Sequence, residues 1–212
     1  MHIPDGFLSF KVWGMAWLFS LGGLGLCVKK TKEFLKDRMV PLMGVMSAFI
    51  FAAQMLNFPV IGGTSGHLLG GVLSAALLGP WAGAIVISCV LMVQCLIFQD
   101  GGLTALGANI LNMSFIGAMG AFLVYKAVRS VIKSRKGILI ASAFSAWLSV
   151  VVASSACAIE LVISGTSPFM IVFPAMLGVH ILIGIGEAII TALVVGFVLK
   201  VRPDLIYNLQ EV

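Results

Sequence analysis

Apolar stretches fill most of this chain, and the polar residues between them come in short clusters. Runs of about eighteen or more apolar residues predict membrane-spanning helices. The first run is Phe10 to Val28. It is followed by the charged segment Lys29-Lys30-Thr31-Lys32-Glu33-Phe34-Leu35-Lys36-Asp37-Arg38. The second is Met39 to Leu56, closed by a Gly-rich loop over Asn57 to Gly66. The third, His67 to Leu78, is short and stops at Gly79-Pro80. Trp81 to Phe98, Leu103 to Tyr125, Ile138 to Ile163 and Ala175 to Leu199 complete the set. Between them lie Gln99-Asp100-Gly101-Gly102, the basic loop Lys126 to Lys136, and Ser164 to Pro174.

The pattern therefore predicts an all-α polytopic membrane protein with seven transmembrane helices. It forms one domain over residues 1–212: an external N-terminal segment 1–9, spans within 10–200, and a tail 201–212. Composition agrees. Of 212 residues 60% are hydrophobic and 10% charged, against roughly 25% charged in soluble domains. Mean hydropathy is +1.14.

The net charge of +5 is informative through its placement. Twelve of the thirteen Lys and Arg residues fall in three segments: after the first run, after the fifth, and at the C-terminal end. Seven spans put all three on one face, and the positive-inside rule makes that face cytoplasmic. The N-terminus is then outside. Six spans would leave the third cluster on the wrong side. The basic excess thus reads as topology, with the lipid bilayer as partner and no nucleic acid.

Orientation gives the first two residues a chemical meaning. A free Met1 amine, the amide nitrogen of His2 and Nδ1 of His2 can chelate one ion through a five-membered and a six-membered ring. Three nitrogens then share a plane, and one more ligand completes a square. That suits Ni(II) or Cu(II) and fits tetrahedral Zn(II) poorly. The start of the chain lacks the basic region and cleavage site of a removable signal peptide, and the bulk of His2 discourages removal of Met1, so the amine is expected to be retained and external. Binding requires a neutral amine and loss of the His2 amide proton, so affinity should fall with pH.

His67, in Gly62-Gly63-Thr64-Ser65-Gly66-His67-Leu68-Leu69-Gly70-Gly71, lies on the same side and is the candidate for the fourth corner. Asp100 either orients a ligating imidazole through its second N–H or caps the following helix. Asp5 either holds the N-terminal loop or attracts cations. Ser65 is a further candidate to support the ligands. His180, Glu160 and Glu187 lie within spans, where ionisable groups are functional candidates. His180 and Glu187 share a helical face, open to either a proton relay or polar packing. Cys27, Cys89, Cys95 and Cys157 form no CxxC pair, and the eleven methionines read as core filling.

Met1-His2-Ile3-Pro4-Asp5-Gly6-Phe7-Leu8, then Gly63-Thr64-Ser65-Gly66-His67-Leu68, then Phe98-Gln99-Asp100-Gly101-Gly102 with Ala105-Leu106-Gly107-Ala108-Asn109, resemble the NikM/CbiM family. These are substrate-binding (S) components of energy-coupling factor (ECF) transporters for nickel and cobalt. The resemblance spans the chain. It implies a six-helix S-component core plus an extra N-terminal helix, with Met1, His2 and His67 as metal ligands. The GTSGHL loop is more similar to NikM-type sequences, which favours Ni²⁺ over Co²⁺ as substrate. No G-x-x-x-x-G-K-[ST] loop is present, so the chain is not expected to hydrolyse ATP itself and is expected not to be an enzyme. ATP hydrolysis would come from two ATPase subunits working through a transmembrane coupling (T) subunit, with a small accessory membrane subunit as a further partner. Ala48 and Ala52 resemble the AxxxA face that S-components present to the coupling subunit; internal packing is the alternative.

Two other classes compete with this reading. An intramembrane metalloenzyme lacks HExxH or a compact His/carboxylate set. A stand-alone metal permease is the runner-up, with Glu160, Glu187 and His180 in its favour.

Overall fold

The computed structural model describes residues 1–60 and 64–209. Part of the expected loop Asn57–Gly66 and of the expected tail, residues 61–63 and 210–212, lies outside the described residues. The elements are α1 (Phe10–Phe34), α2 (Met39–Gln54), β1 (Phe58–Val60), β2 (Thr64–Gly66), α3 (Gly71–Phe98) and α4 (Leu106–Ile110). A π-helical stretch (Leu111–Gly120) carries α4 on into α5 (Ala121–Val131), followed by α6 (Arg135–Ile163) and α7 (Phe169–Val201). Among the described residues five helical segments are long and apolar enough to cross a membrane, and α2 is a shorter apolar helix.

Several helices run further than their apolar cores. α1 continues through Lys29, Lys30 and Lys32, and α5 carries Lys126 and Arg129, so the second basic loop shrinks to residues 132–134. Lysine and arginine are good helix formers, and their long stems reach from a helix end to a polar surface.

α3 is not one rod. Gly79 has φ +83° and ψ 165°, a conformation open to glycine, and Pro80 follows with no N–H to continue the ladder. Ser74 Oγ lies 3.4 Å from the Gly83 carbonyl. In a straight helix nine residues would separate those groups by roughly 13 Å, so the chain doubles back. The result is a short arm, 71–78, and a long helix, 80–98. The expected helix over His67–Leu78 begins only at Gly71. Residues 67–70 are not helical, because the amides of Leu69 and Gly70 are taken by Glu187 of α7 at 2.7 and 2.6 Å.

The contacts define two ends. At one, Met1 meets Ser65, Gly102 N–H donates to Ile3 O at 2.9 Å, and Thr166 Oγ1 donates to Phe7 O. At the other, Arg38 reaches Asp204 at 3.4 Å and Tyr207 N–H donates to Ala76 O at 2.9 Å. The doubled-back arm carries the chain from one to the other. α1 buries only Ala16, Ser20, Cys27 and Thr31, a single stripe that makes it a peripheral helix. α7 buries Val172, Met176, His180, Gly184, Glu187, Thr191, Val195 and Leu199, again one stripe, packed mainly on α6.

Candidate metal centre

The N-terminal segment is threaded into the protein: Met1 and Ile3 are fully buried and His2 is 4% exposed. Main-chain pairing holds it there. Ile3 N–H donates to Asn109 Oδ1 at 2.9 Å, and Asn109 Nδ2 returns a bond to Ile3 O at 3.2 Å. Asn109 thus satisfies both polar groups of Ile3, as a neighbouring strand would. Asp5 fixes the far side of the turn, accepting from Leu103 N–H at 3.0 Å, from Thr104 N–H at 2.7 Å, and from Thr104 Oγ1. These bonds hold the Asp5 carboxyl below its usual range, the Thr104 side chain contributing most. Asp5 therefore holds the loop, and it rather than Asp100 meets the amides ahead of α4. Gly102 is required there: a Cβ on it would lie 2.2 Å from Asp5 N.

The second strand comes from the short hairpin β1–β2, paired Phe58↔Gly66 and Val60↔Thr64. It delivers Ser65 to the N-terminus. The Met1 amine donates to Ser65 O and lies 3.2 Å from Ser65 Oγ. His2 N–H also donates to Ser65 Oγ, at 3.2 Å.

Both imidazoles are oriented by their other nitrogen. His2 Nε2 lies 3.1 Å from Gln94 Oε1. With Oε1 accepting, Nε2 carries the proton and Nδ1 keeps its lone pair; the other tautomer would instead donate Nδ1–H to Asp100 Oδ1, 3.3 Å away. His67 Nδ1 lies 2.6 Å from Leu68 O, which places that proton on Nδ1. His67 Nε2 is buried without a hydrogen-bond partner among the described residues. The ring centroids are 4.4 Å apart and the planes 25° apart. With metal–nitrogen bonds of about 2.0–2.1 Å, imidazoles on adjacent corners of a square have centroids about 4.5 Å apart. Burial pushes the Met1 amine down to about 5 and the His2 imidazole to about 3, so both are neutral, the state in which nitrogen binds metal.

Met1, His2, Ser65, His67 and Asp100 are thus brought together. Asp100 Oδ1 is 3.3 Å from His2 Nδ1, and its Oδ2 accepts from Asn57 Nδ2 at 2.9 Å. The second ring nitrogen of His2 is held by Gln94, which sequence reasoning missed because Gln94 stands inside an apolar run. Cys157 Sγ, 3.9 Å from Met1 O, also lines the site. Among the described residues no three His, Cys, Asp or Glu side chains gather as a metal cluster; the donors here include main-chain nitrogens. His180 Nδ1 bonds Met176 O at 2.7 Å. Glu187 is occupied by the two loop amides, and Glu160 accepts from Asn112 Nδ2 at 2.7 Å. Ala48 and Ala52 lie apart, on the exposed side of α2.

A bundle of long apolar helices with a buried cluster of nitrogen-bearing groups at one end defines a membrane protein built around a polar site. Residues 2–205 match the family model CbiM, the cobalt uptake substrate-specific transmembrane region, and the chain belongs to that family. It is 40% identical over 209 residues to a putative fused nickel transport protein NikMN of Archaeoglobus fulgidus, covering 97% of this chain and 68% of that one. A putative cobalt transport protein CbiM of Methanocaldococcus jannaschii is 31% identical over 218 residues, covering 100% of this chain and 93% of the other. A crystal structure of a truncated transition metal transporter superposes with TM-score 0.88 at 35% identity, covering 94% of this chain and 99% of that chain.

Proposed function

We propose that this chain binds external Ni²⁺ through four nitrogens, the Met1 amine, the His2 amide and Nδ1, and His67 Nε2. It is the S component of an ATP-driven ECF transporter in the cytoplasmic membrane. The observation that carries the reading is the pairing of two imidazoles whose outer nitrogens are engaged by Gln94 and Leu68, with His67 Nε2 lacking a partner among the described residues and His2 Nδ1 beside Ser65 Oγ and Asp100, at a ring spacing suited to adjacent corners of a square. The related nickel and cobalt transport proteins support the substrate class. Planar four-nitrogen coordination supports Ni²⁺ over Co²⁺.

The wider architecture follows from this reading. We count seven spans, taking the bend at Gly79 as dividing α3 into two arms and α2 as a short span, and the charge distribution directs the Met1 end outward. Residues 1–212 act as one membrane domain, with α1 added to a six-helix core. ATP hydrolysis belongs to separate ATPase subunits coupled through a T subunit. Ala48 and Ala52, exposed on α2, offer that subunit a surface of small residues.

The test is a comparison of N-termini. Purified protein starting at Met1 is expected to bind one Ni²⁺ with a square-planar absorption spectrum. Adding one residue before Met1 should abolish it, because the amine moves away and the site has no room. Unchanged Ni²⁺ binding by the extended protein, or an octahedral spectrum, would refute the chelate. Uptake into vesicles should require the ATPase and coupling subunits; uptake by the chain alone would favour a permease.

A further inference from the structure

A second polar site lies at the opposite end of the molecule, where Arg129 is only 6% exposed. Its Nε and Nη1 are enclosed and have no hydrogen-bond partner among the described residues. The ion pairs formed among the described residues do not include it. A guanidinium withdrawn from water without a counter-charge is strongly unfavourable, and its rigid fork of donors matches the oxygens of a phosphate. Arg129 lines a cavity of about 300 Å³ together with Lys126, Pro80, Phe122, Leu123 and Ile206. The cavity combines two cations with walls that are mainly apolar, to which Tyr125, Tyr207 and Asn208 add polar groups. Leu123, one of those walls, is 69% exposed, so part of the apolar lining faces out of the helix bundle. This end also carries the basic residues Lys133, Arg135, Lys136, Lys200 and Arg202, the level at which headgroups lie.

We propose that this cavity binds the phosphate of an anionic phospholipid, Arg129 gripping the headgroup, Lys126 adding charge, and the glycerol and upper acyl chain lying on Phe122 and Leu123. Basic pockets between transmembrane helices hold lipid headgroups in this manner. Neither a phosphate from water nor a partner's carboxylate would have a use for the apolar wall at Phe122 and the exposed Leu123.

Native mass spectrometry of the full chain in detergent tests this with dioleoyl phosphatidylglycerol against dioleoyl phosphatidylcholine. Wild type should retain one phosphatidylglycerol with a preference of about tenfold. Arg129→Gln should reduce the preference to below about twofold, and the exposed Lys133→Gln should leave it unchanged. Phosphatidylglycerol should also raise the melting temperature of wild type and not that of Arg129→Gln. If Arg129→Gln does not fold, Lys126→Gln reports on the same cavity, with a severalfold loss expected. Equal retention of the two lipids, or undiminished preference in the variants, overturns the proposal. Displacement of the lipid by millimolar inorganic phosphate would assign the cavity to free phosphate. Lipid retention by Arg129→Gln with loss of a copurifying chain would assign it to a protein partner.

Discussion

Gln94 lies in the middle of an apolar helix and spends its side-chain oxygen on one proton. That contact orients His2 and, with Oε1 accepting, leaves Nδ1 as the nitrogen the proposed chelate uses. Gln94→Leu is expected to weaken Ni²⁺ binding by about 10–100-fold, the usual cost of losing a group that orients a ligand. Isothermal titration would show this, while the melting temperature moves little. Protons give a second test. Burial lowers the Met1 amine to about 5 and His2 to about 3, so above pH 6 neither ligand carries a competing proton. The one proton still released is that of the His2 amide. Affinity should therefore fall about tenfold per unit as pH drops from 8 to 6, and more steeply below about 5 as the amine also becomes protonated. A dissociation constant independent of pH between 6 and 8 would exclude the deprotonated amide. At this scale the sequence is uneven. Met1 and His2 are adjacent, so their chelating geometry can be read directly, and topology brings His67 to the same face. Gln94 carries no such signal, because its meaning depends on a histidine 92 residues away.

At the scale of elements the informative piece is the loop 67–70. Its apolar residues look like the start of a span, and the break at Gly79-Pro80 was legible because glycine and proline act locally. The absence of helix before Gly71 was not legible, since it is imposed by Glu187 from another element. The carboxylate satisfies two buried amides that a helix would otherwise have to satisfy. The β1–β2 hairpin escaped sequence reading for a different reason: three-residue strands have too little periodicity to register. Glu187→Ala should leave two buried N–H groups unpaired, each costing about 1–3 kcal/mol, and the loop presenting His67 should loosen. A clear fall in melting temperature together with weaker Ni²⁺ binding is expected. Glu187→Gln, which keeps one acceptor, should recover part of both. A proton relay through Glu187 predicts instead normal stability and normal Ni²⁺ affinity in both variants, with only transport lost.

For the whole molecule the question is which end faces the metal supply. The N-terminal plug, the Ser65 hairpin and the Asp100 turn converge on one end, and the basic loops with the buried Arg129 on the other. The charge pattern already separates these two ends in the sequence, because lysine and arginine are placed by the membrane rather than by packing. The path of residues 67–79 between the ends was harder to read, as only a partly non-helical chain covers that depth in so few residues. Two exposed positions test the orientation: Leu103, beside the metal centre, and Lys133, in the loop before α6. With Cys89 replaced by Ala to remove the exposed native thiol, a membrane-impermeant maleimide applied to intact cells should label Leu103→Cys and spare Lys133→Cys. After permeabilisation both should react. Ni²⁺ added beforehand should leave Leu103→Cys reactive, since its side chain points away from the ligands, which separates orientation from occupancy. Labelling of Lys133→Cys in intact cells would invert the molecule and put the four nitrogens on the cytoplasmic side, where an uptake component has no ion to capture.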